Sequence, residues 1–131
     1  MATKAFLDTN VLIYAISDDP AKGDRSRELL QSNGVVSVQV LNEFVNTSRR
    51  KYALAWNAVE EWLDAFRASL EVESLTQETQ ARAVIIARRH QIHIYDATII
   101  AAAEQAGCDV LYTEDLQHGA TIAGVEIRNP Y

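Results

Sequence analysis

Short apolar runs alternate with stretches of helical periodicity along the whole chain, and that alternation leaves few folds open. Lys4–Leu7 and Val35–Val38 are brief apolar runs with β-branched or aromatic residues, and Asp109–Tyr112, after Gly107, is of the same kind. Strands this apolar belong in a sheet buried on both faces. Leu70–Val72 and Val125–Ile127 are weaker strand candidates. Between them lie helices. Asp19-Pro20 supplies an N-cap and a proline at the first position of a helix reaching about Gln31. Val59, Trp62, Leu63, Phe66 and Leu70 step at helical spacing along one apolar face. Thr76 with Glu78 caps a helix that carries Ala81, Val84, Ile85 and Arg88 and ends near His90. Asp96–Ala106, Ala- and Ile-rich and apolar nearly all round, predicts a central buried helix that stops at Gly107. The expectation is an α/β fold: a doubly wound, central parallel sheet of four to five strands flanked by helices on both faces, in a single domain over residues 1–131.

Composition narrows the class further. At 131 residues, 48% hydrophobic and 23% charged, the chain has the balance of one ordinary globular core. No apolar run approaches the ~20 residues of a membrane helix, and the N-terminus meets a charge too early for a secretory leader. The lone Cys108 has no partner for an internal disulfide. A cytoplasmic protein is expected. The net charge of −6 argues against a broad cationic surface for duplex DNA, yet nine of the 12 basic residues are Arg, whose fork suits phosphate. A negative chain can still act on nucleic acid when metal ions supply the positive field.

In parallel sheets, ligands bind beyond the carboxyl ends of the strands, and acids collect there. Asp8 directly follows the first strand in Phe6-Leu7-Asp8-Thr9-Asn10, and Asp115 closely follows the Asp109–Tyr112 strand in Thr113-Glu114-Asp115. Asp96 opens the apolar helix. Glu43 sits about two turns into the helix after the second strand, among Leu41, Phe44 and Val45, where an unpartnered carboxylate is costly if buried. Each acid has a plain structural reading. Asp8 and Asp96 suit N-caps, Asp115 suits a turn, and Glu43 can point to solvent. Four acids at one sheet edge would repel and drive one another toward the protonated form. A divalent cation with hard oxygen ligands, Mg²⁺ or Mn²⁺, resolves that conflict. Such a site suits in-line attack of an activated water on a phosphodiester, with Thr9, Asn10 and Thr113 supporting the carboxylates or the leaving phosphate.

These segments in this order resemble a PIN-domain ribonuclease of the VapC type, the toxin of a toxin–antitoxin pair. The resemblance runs from Phe6-Leu7-Asp8-Thr9-Asn10-Val11-Leu12 through Val40-Leu41-Asn42-Glu43-Phe44 and Tyr95-Asp96-Ala97 to Leu111-Tyr112-Thr113-Glu114-Asp115-Leu116, with an Asn129-Pro130-Tyr131 ending. It implies an acidic quartet of Asp8, Glu43, Asp96 and Asp115. Asp8 and Asp96 would be direct Mg²⁺ ligands, Glu43 and Asp115 would act through water or a second ion, and Thr113 would be the supporting hydroxyl. It further implies an RNA substrate, a homodimer and a cognate antitoxin over the site.

Other residues carry lesser expectations. Arg49-Arg50-Lys51 and Arg88-Arg89-His90 end helices, where cations favour the macrodipole, and both are expected opposite the acid pocket. Arg25 and Arg27, nearer the acidic edge, suit a solvated helix face. His90, His93 and His118 suit exposed positions, and Glu114 suits a solvated loop. Trp56, Trp62 and Phe66 suit core rather than a partner surface, and Cys108 suits a small buried hydrophobe. Three rival functions fit less well. A phosphoreceiver module, by its family pattern, has paired acids after the first strand and a late Lys, but Asp8 stands alone and the lysines are Lys4, Lys22 and Lys51. An aspartyl phosphatase has a second Asp where Asn10 stands. A silent PIN scaffold would not need all four acids.

Overall fold

Three-residue strands and a register that aligns their carboxyl ends set the frame in a computed structural model, which describes residues 3–131. The chain runs β1 (Ala5–Leu7), α1 (Thr9–Ile16), α2 (Pro20–Leu30), β2 (Val35–Ser37), α3 (Val38–Tyr52), α4 (Trp56–Ser69), β3 (Glu71–Glu73), α5 (Gln77–His90), α6 (Ile94–Gln105), β4 (Val110–Tyr112), β5 (Thr121–Ile122) and β6 (Val125–Arg128). The strand order is β3-β2-β1-β4-β6-β5. From β1 the chain builds outward through β2 and β3, then crosses back to place β4 on the other side of β1. The gap between β1 and β4 is therefore the topological switch point, where parallel sheets hold their ligands. All pairings are parallel except β5 with β6.

The parallel part carries the five expected strands. The sixth, β5, is an added antiparallel edge, joined to β6 by Ala123 and Gly124, both at positive φ. That two-residue turn is of the kind that matches hairpin twist. Among the expected elements, helix α1 is announced only by the capping reading of Asp8, which the structure bears out. Its sequence, Thr-Asn-Val-Leu-Ile-Tyr-Ala-Ile, is short and rich in branched residues, so neither period stands out. Capping by Asp8 and burial of Val11, Leu12, Ile13 and Ala15 make it a helix.

Core and solvent faces follow from packing. Residues Ala97 to Ala103 of α6 are buried on every side, as expected of a central helix. On α3 the buried positions Val40, Leu41, Phe44 and Ser48 form one stripe, and Phe44 meets Phe66 edge-on with ring centroids 4.9 Å apart. Helix α5 departs from expectation. Ala83 and Ile86 face the core, whereas Val84 and Ile85 are 47% and 49% exposed. Two apolar stripes coexist on that helix, and its packing on α6 selects the Ala83–Ile86 one. Trp56 is likewise exposed rather than core, while Phe66 is buried and Trp62 packs on the core's margin. Cys108 is buried as expected, and burial pushes its thiol up to about 11.

Candidate active site

Leu7 of β1 pairs with Tyr112 of β4, so the next residues of both strands, Asp8 and Thr113, emerge side by side at the switch point. The Thr113 hydroxyl donates to Asp8 Oδ2 at 2.7 Å, and the Thr9 backbone N–H donates to Oδ1 at 2.6 Å. The second bond is the N-cap of α1. Cap and site are thus one carboxylate. Asp8 is only 3% exposed, and burial raises its pKa from 3.8 to about 7. The bonds from Thr113 and Thr9 oppose that rise, and the charges of Asp115 and Glu43 add to it.

Thr9 also reaches the next acid: its hydroxyl donates to Glu43 Oε2 at 3.0 Å. Burial raises the Glu43 pKa, the Thr9 bond opposes it, and Asp96 raises it further. The Asn10 amide donates to Thr113 Oγ1 and to Asp115 Oδ2, both at 3.2 Å. Asp115 donates its backbone N–H to Thr113 Oγ1 at 3.0 Å. Thr113 therefore links Asp8, Asn10 and Asp115, which is why a buried hydroxyl stands there. On the opposite side of Asn10, its Oδ1 is buried without a hydrogen-bond partner.

Asp96 lies in the first turn of α6 rather than at its start. His93 is the N-cap, its Nδ1 accepting from the Tyr95 N–H at 3.1 Å. Among the described residues nothing donates a hydrogen bond to the Asp96 carboxylate. Burial raises its pKa, Asp115 adds to the rise, and the nearby His93 opposes it. The capping reading of Asp96 therefore falls away, leaving a partly buried acid beside other acids.

The charge of Asp115 acts on Asp8, Glu43 and Asp96, and Glu43 stands between Asp8 and Asp96, yet among the described residues no three His, Cys, Asp or Glu side chains enclose an ion site by themselves. Mg²⁺ does not require such a cage: it takes one or two carboxylates and keeps several waters. Hard oxygen donors, a carboxylate held by two hydrogen bonds and the unpartnered Asn10 oxygen fit that habit. If Thr113 steadies the ionised form of Asp8, Thr113→Val should lift the Asp8 pKa above about 7. Carboxyl-carbon NMR titration of the metal-free protein measures it, and an unchanged or lower value refutes that role for the hydroxyl.

A cleft of about 440 Å³ opens over the site, lined by Thr9, Asn10, Glu43 and Asp115 at one end and by Thr47, Arg50, Lys51 and Tyr52 at the other. This corrects the expectation that Arg50 and Lys51 lie opposite the acids. Helix α3 packs across α1, so its later turns stay beside the cleft. Arg49 alone of that triplet is structural, donating to the Leu54 carbonyl at 2.9 Å and stacking over Trp56 at 4.4 Å. Glu114 is not a free loop charge either. It accepts from Tyr14 at 2.5 Å and pairs with Lys22 at 3.2 Å. His118 is exposed, with Nδ1 accepting from the Asn129 N–H. His90 and His93 are exposed as well. Arg25 and Arg27 make ion pairs within α2 and also hold the chain at Pro130 and Ala15. The signal that sequence reading missed was the polar helical stripe Glu43, Asn46, Thr47, Arg50, Lys51.

The sequence profile of the PIN domain matches residues 5–121. The chain belongs to the PIN-domain family. Solved structures share the fold of this PIN domain across nearly its whole length. A toxin–antitoxin complex from Klebsiella pneumoniae has 23% identity and a TM-score of 0.74, with 98% of both chains covered. DNA-bound VapBC from Salmonella typhimurium has 24% identity and a TM-score of 0.73, covering 99% of this chain and 100% of that one. VapC20 of Mycobacterium tuberculosis, described as a sarcin-ricin loop cleaving toxin, has 22% identity and a TM-score of 0.70, covering 86% of this chain and 90% of that one. No curated protein matches. Among the described residues no helix is long and apolar enough to cross a membrane.

Proposed function

We propose that this PIN domain is a Mg²⁺-dependent endoribonuclease and the VapC-type toxin of a toxin–antitoxin pair, acting in the cytoplasm. The observation that carries the reading is Asp96: a partly buried carboxylate beside other acids, with no hydrogen bond and no capping duty. A charge so placed is unfavourable unless it serves a ligand. The toxin–antitoxin complexes among the similar structures support an antitoxin partner. The exposed Val84 and Ile85 of α5 support a homodimer, since they form an apolar face that a second copy would cover.

Asp8 and Asp96 would hold the ion, and Glu43 and Asp115 would reach it through water or a second ion. Mg²⁺, or Mn²⁺ in its place, would supply Lewis-acid charge at the phosphate and make water a better nucleophile. The chain's own groups set the geometry. Thr113 and the Thr9 amide fix both oxygens of Asp8, the Thr9 hydroxyl fixes Glu43, and Asn10 ties Asp115 to Thr113. Glu43 and Asp115, which line the cleft, would orient a water whose oxygen bonds to phosphorus as one P–O ester bond breaks, its proton passing to the leaving oxygen. Purified protein incubated with total cellular RNA should cut it with Mg²⁺ present and leave it intact in EDTA. Absence of cutting by folded, antitoxin-free protein would replace this reading with that of a silent binding scaffold.

A further inference from the structure

The acidic end of the cleft accounts for chemistry but not for how a polyanion is drawn toward carboxylates. Every Lys and Arg outside 49–51 and 88–89 makes an ion pair within the protein. With Arg49 engaged by Leu54 and Trp56, Arg50 and Lys51 are the cations of the cleft that have no acidic partner among the described residues. They lie seven and eight residues beyond Glu43 on α3, which puts them ~10–12 Å along the helix axis from it, on the same face. A second hollow of about 510 Å³ continues in the other direction. It shares Glu43 and Asn46 with the first and is bounded by Gln39, Asn42, Leu75 and Tyr95. The Tyr95 ring is held out at 60% exposure with the His93 ring 5.1 Å behind it. The two hollows thus meet at the acid site and follow one polar face of α3.

We propose that this face is a track for single-stranded RNA, with Arg50 and Lys51 gripping backbone phosphate on one side of the scissile bond and Tyr95 stacking a base on the other. The proposal rests on the ribonuclease reading and adds the side chains that hold the strand on either side of the scissile bond. Cations beside a groove hold the backbone, and an exposed aromatic takes a base only when that base is unstacked, so a duplex does not fit both ends. The side-chain amides of Asn42 and Asn46, between the two ends, offer hydrogen bonds to base edges.

The test is anisotropy of a fluorescein-labelled single-stranded RNA of mixed sequence, with Mg²⁺ and an Asp96→Asn background to prevent cutting. Arg50→Ala with Lys51→Ala should weaken binding tenfold or more at low salt. It should also flatten the slope of log affinity against log salt by about 1.4, at ~0.7 per lost phosphate contact. Tyr95→Ala should weaken binding about tenfold with the slope unchanged. Arg88→Ala with Arg89→Ala, the same charge removed from α5, should change neither. The swap Arg50→Lys with Lys51→Arg should restore the slope, which excludes misfolding as the cause. Equal losses from the 50–51 and 88–89 pairs, an unchanged slope, or duplex RNA binding as tightly as single strands would overturn the track. The two readings fail separately. A wild-type protein that cuts RNA while the 50–51 double variant keeps the same kcat/KM overturns the track alone. Slope loss at 50–51 in a protein that never cuts overturns the ribonuclease reading and leaves the track as a binding surface.

Discussion

Asp96→Asn and Asp8→Asn are each expected to lower RNA cleavage by about a thousandfold or more at saturating Mg²⁺. A metal's charge stabilisation is worth several kcal/mol in the transition state, and each 1.36 kcal/mol is tenfold in rate. The two variants should differ in everything else. Asn at position 96 forfeits no hydrogen bond, because the carboxylate accepts none, so the melting temperature should stay or rise. At position 8 the carboxylate caps α1 and accepts from Thr113, and Asn can keep one of those bonds while losing the buried charge. Metal titration by calorimetry alongside the rate assay separates lost ion binding from lost chemistry. Full Mg²⁺-dependent activity in either variant would sink the assignment of those acids.

A second large effect concerns stability against pH in the metal-free protein. Asp8 has a folded pKa of about 7 against 3.8 for the free side chain. Between those values the folded state holds a proton that the unfolded chain releases, so stability falls as pH rises through that window. The shift corresponds to a loss on the order of 4 kcal/mol between pH 4 and pH 8. Glu43 and Asp96, raised by the same burial and crowding, act in the same direction. In EDTA, wild type should unfold at lower urea at pH 8 than at pH 5, and Asp8→Asn should lose most of that difference. Added Mg²⁺ should restore wild-type stability at pH 8 by favouring the charged carboxylates. A pH dependence identical in wild type and Asp8→Asn would mean that Asp8 is not the buried, protonated group described.

The acidic site was legible because its logic is one-dimensional. Asp8 directly after one apolar strand, Asp115 three residues after another, and an Asp beside the start of an all-apolar helix are facts of local sequence, and parallel strands put their ends on one edge. Thr113 was legible for the same reason, lying between a strand and Asp115. The register that turns adjacency into a 2.7 Å bond between Asp8 and Thr113 is a property of the sheet. Asp96 shows the limit: sequence allowed it to be a cap, and only the observation that His93 caps α6 removed that role. The β5–β6 turn uses Ala123-Gly124 rather than an Asn-Gly or Asp-Gly pair, so the usual hairpin signal was missing.

What the sequence determined by itself is the α/β alternation, the buried central helix, the capping of α2 and α5, and which acids stand at strand ends and helix starts. Those are set by local periodicity, caps and neighbours a few residues away. Tertiary structure decided which apolar stripe of α5 is buried, because Ala83–Ile86 and Val84–Ile85 have equal claims until α6 is packed against one of them. It also decided that Arg50 and Lys51 share a cleft with Glu43 and Asp115, because the path of α3 across α1 fixes where its last turns lie. A helix carries its own periodicity in its sequence, but the direction in which it crosses its neighbours is set by side chains distant in the chain.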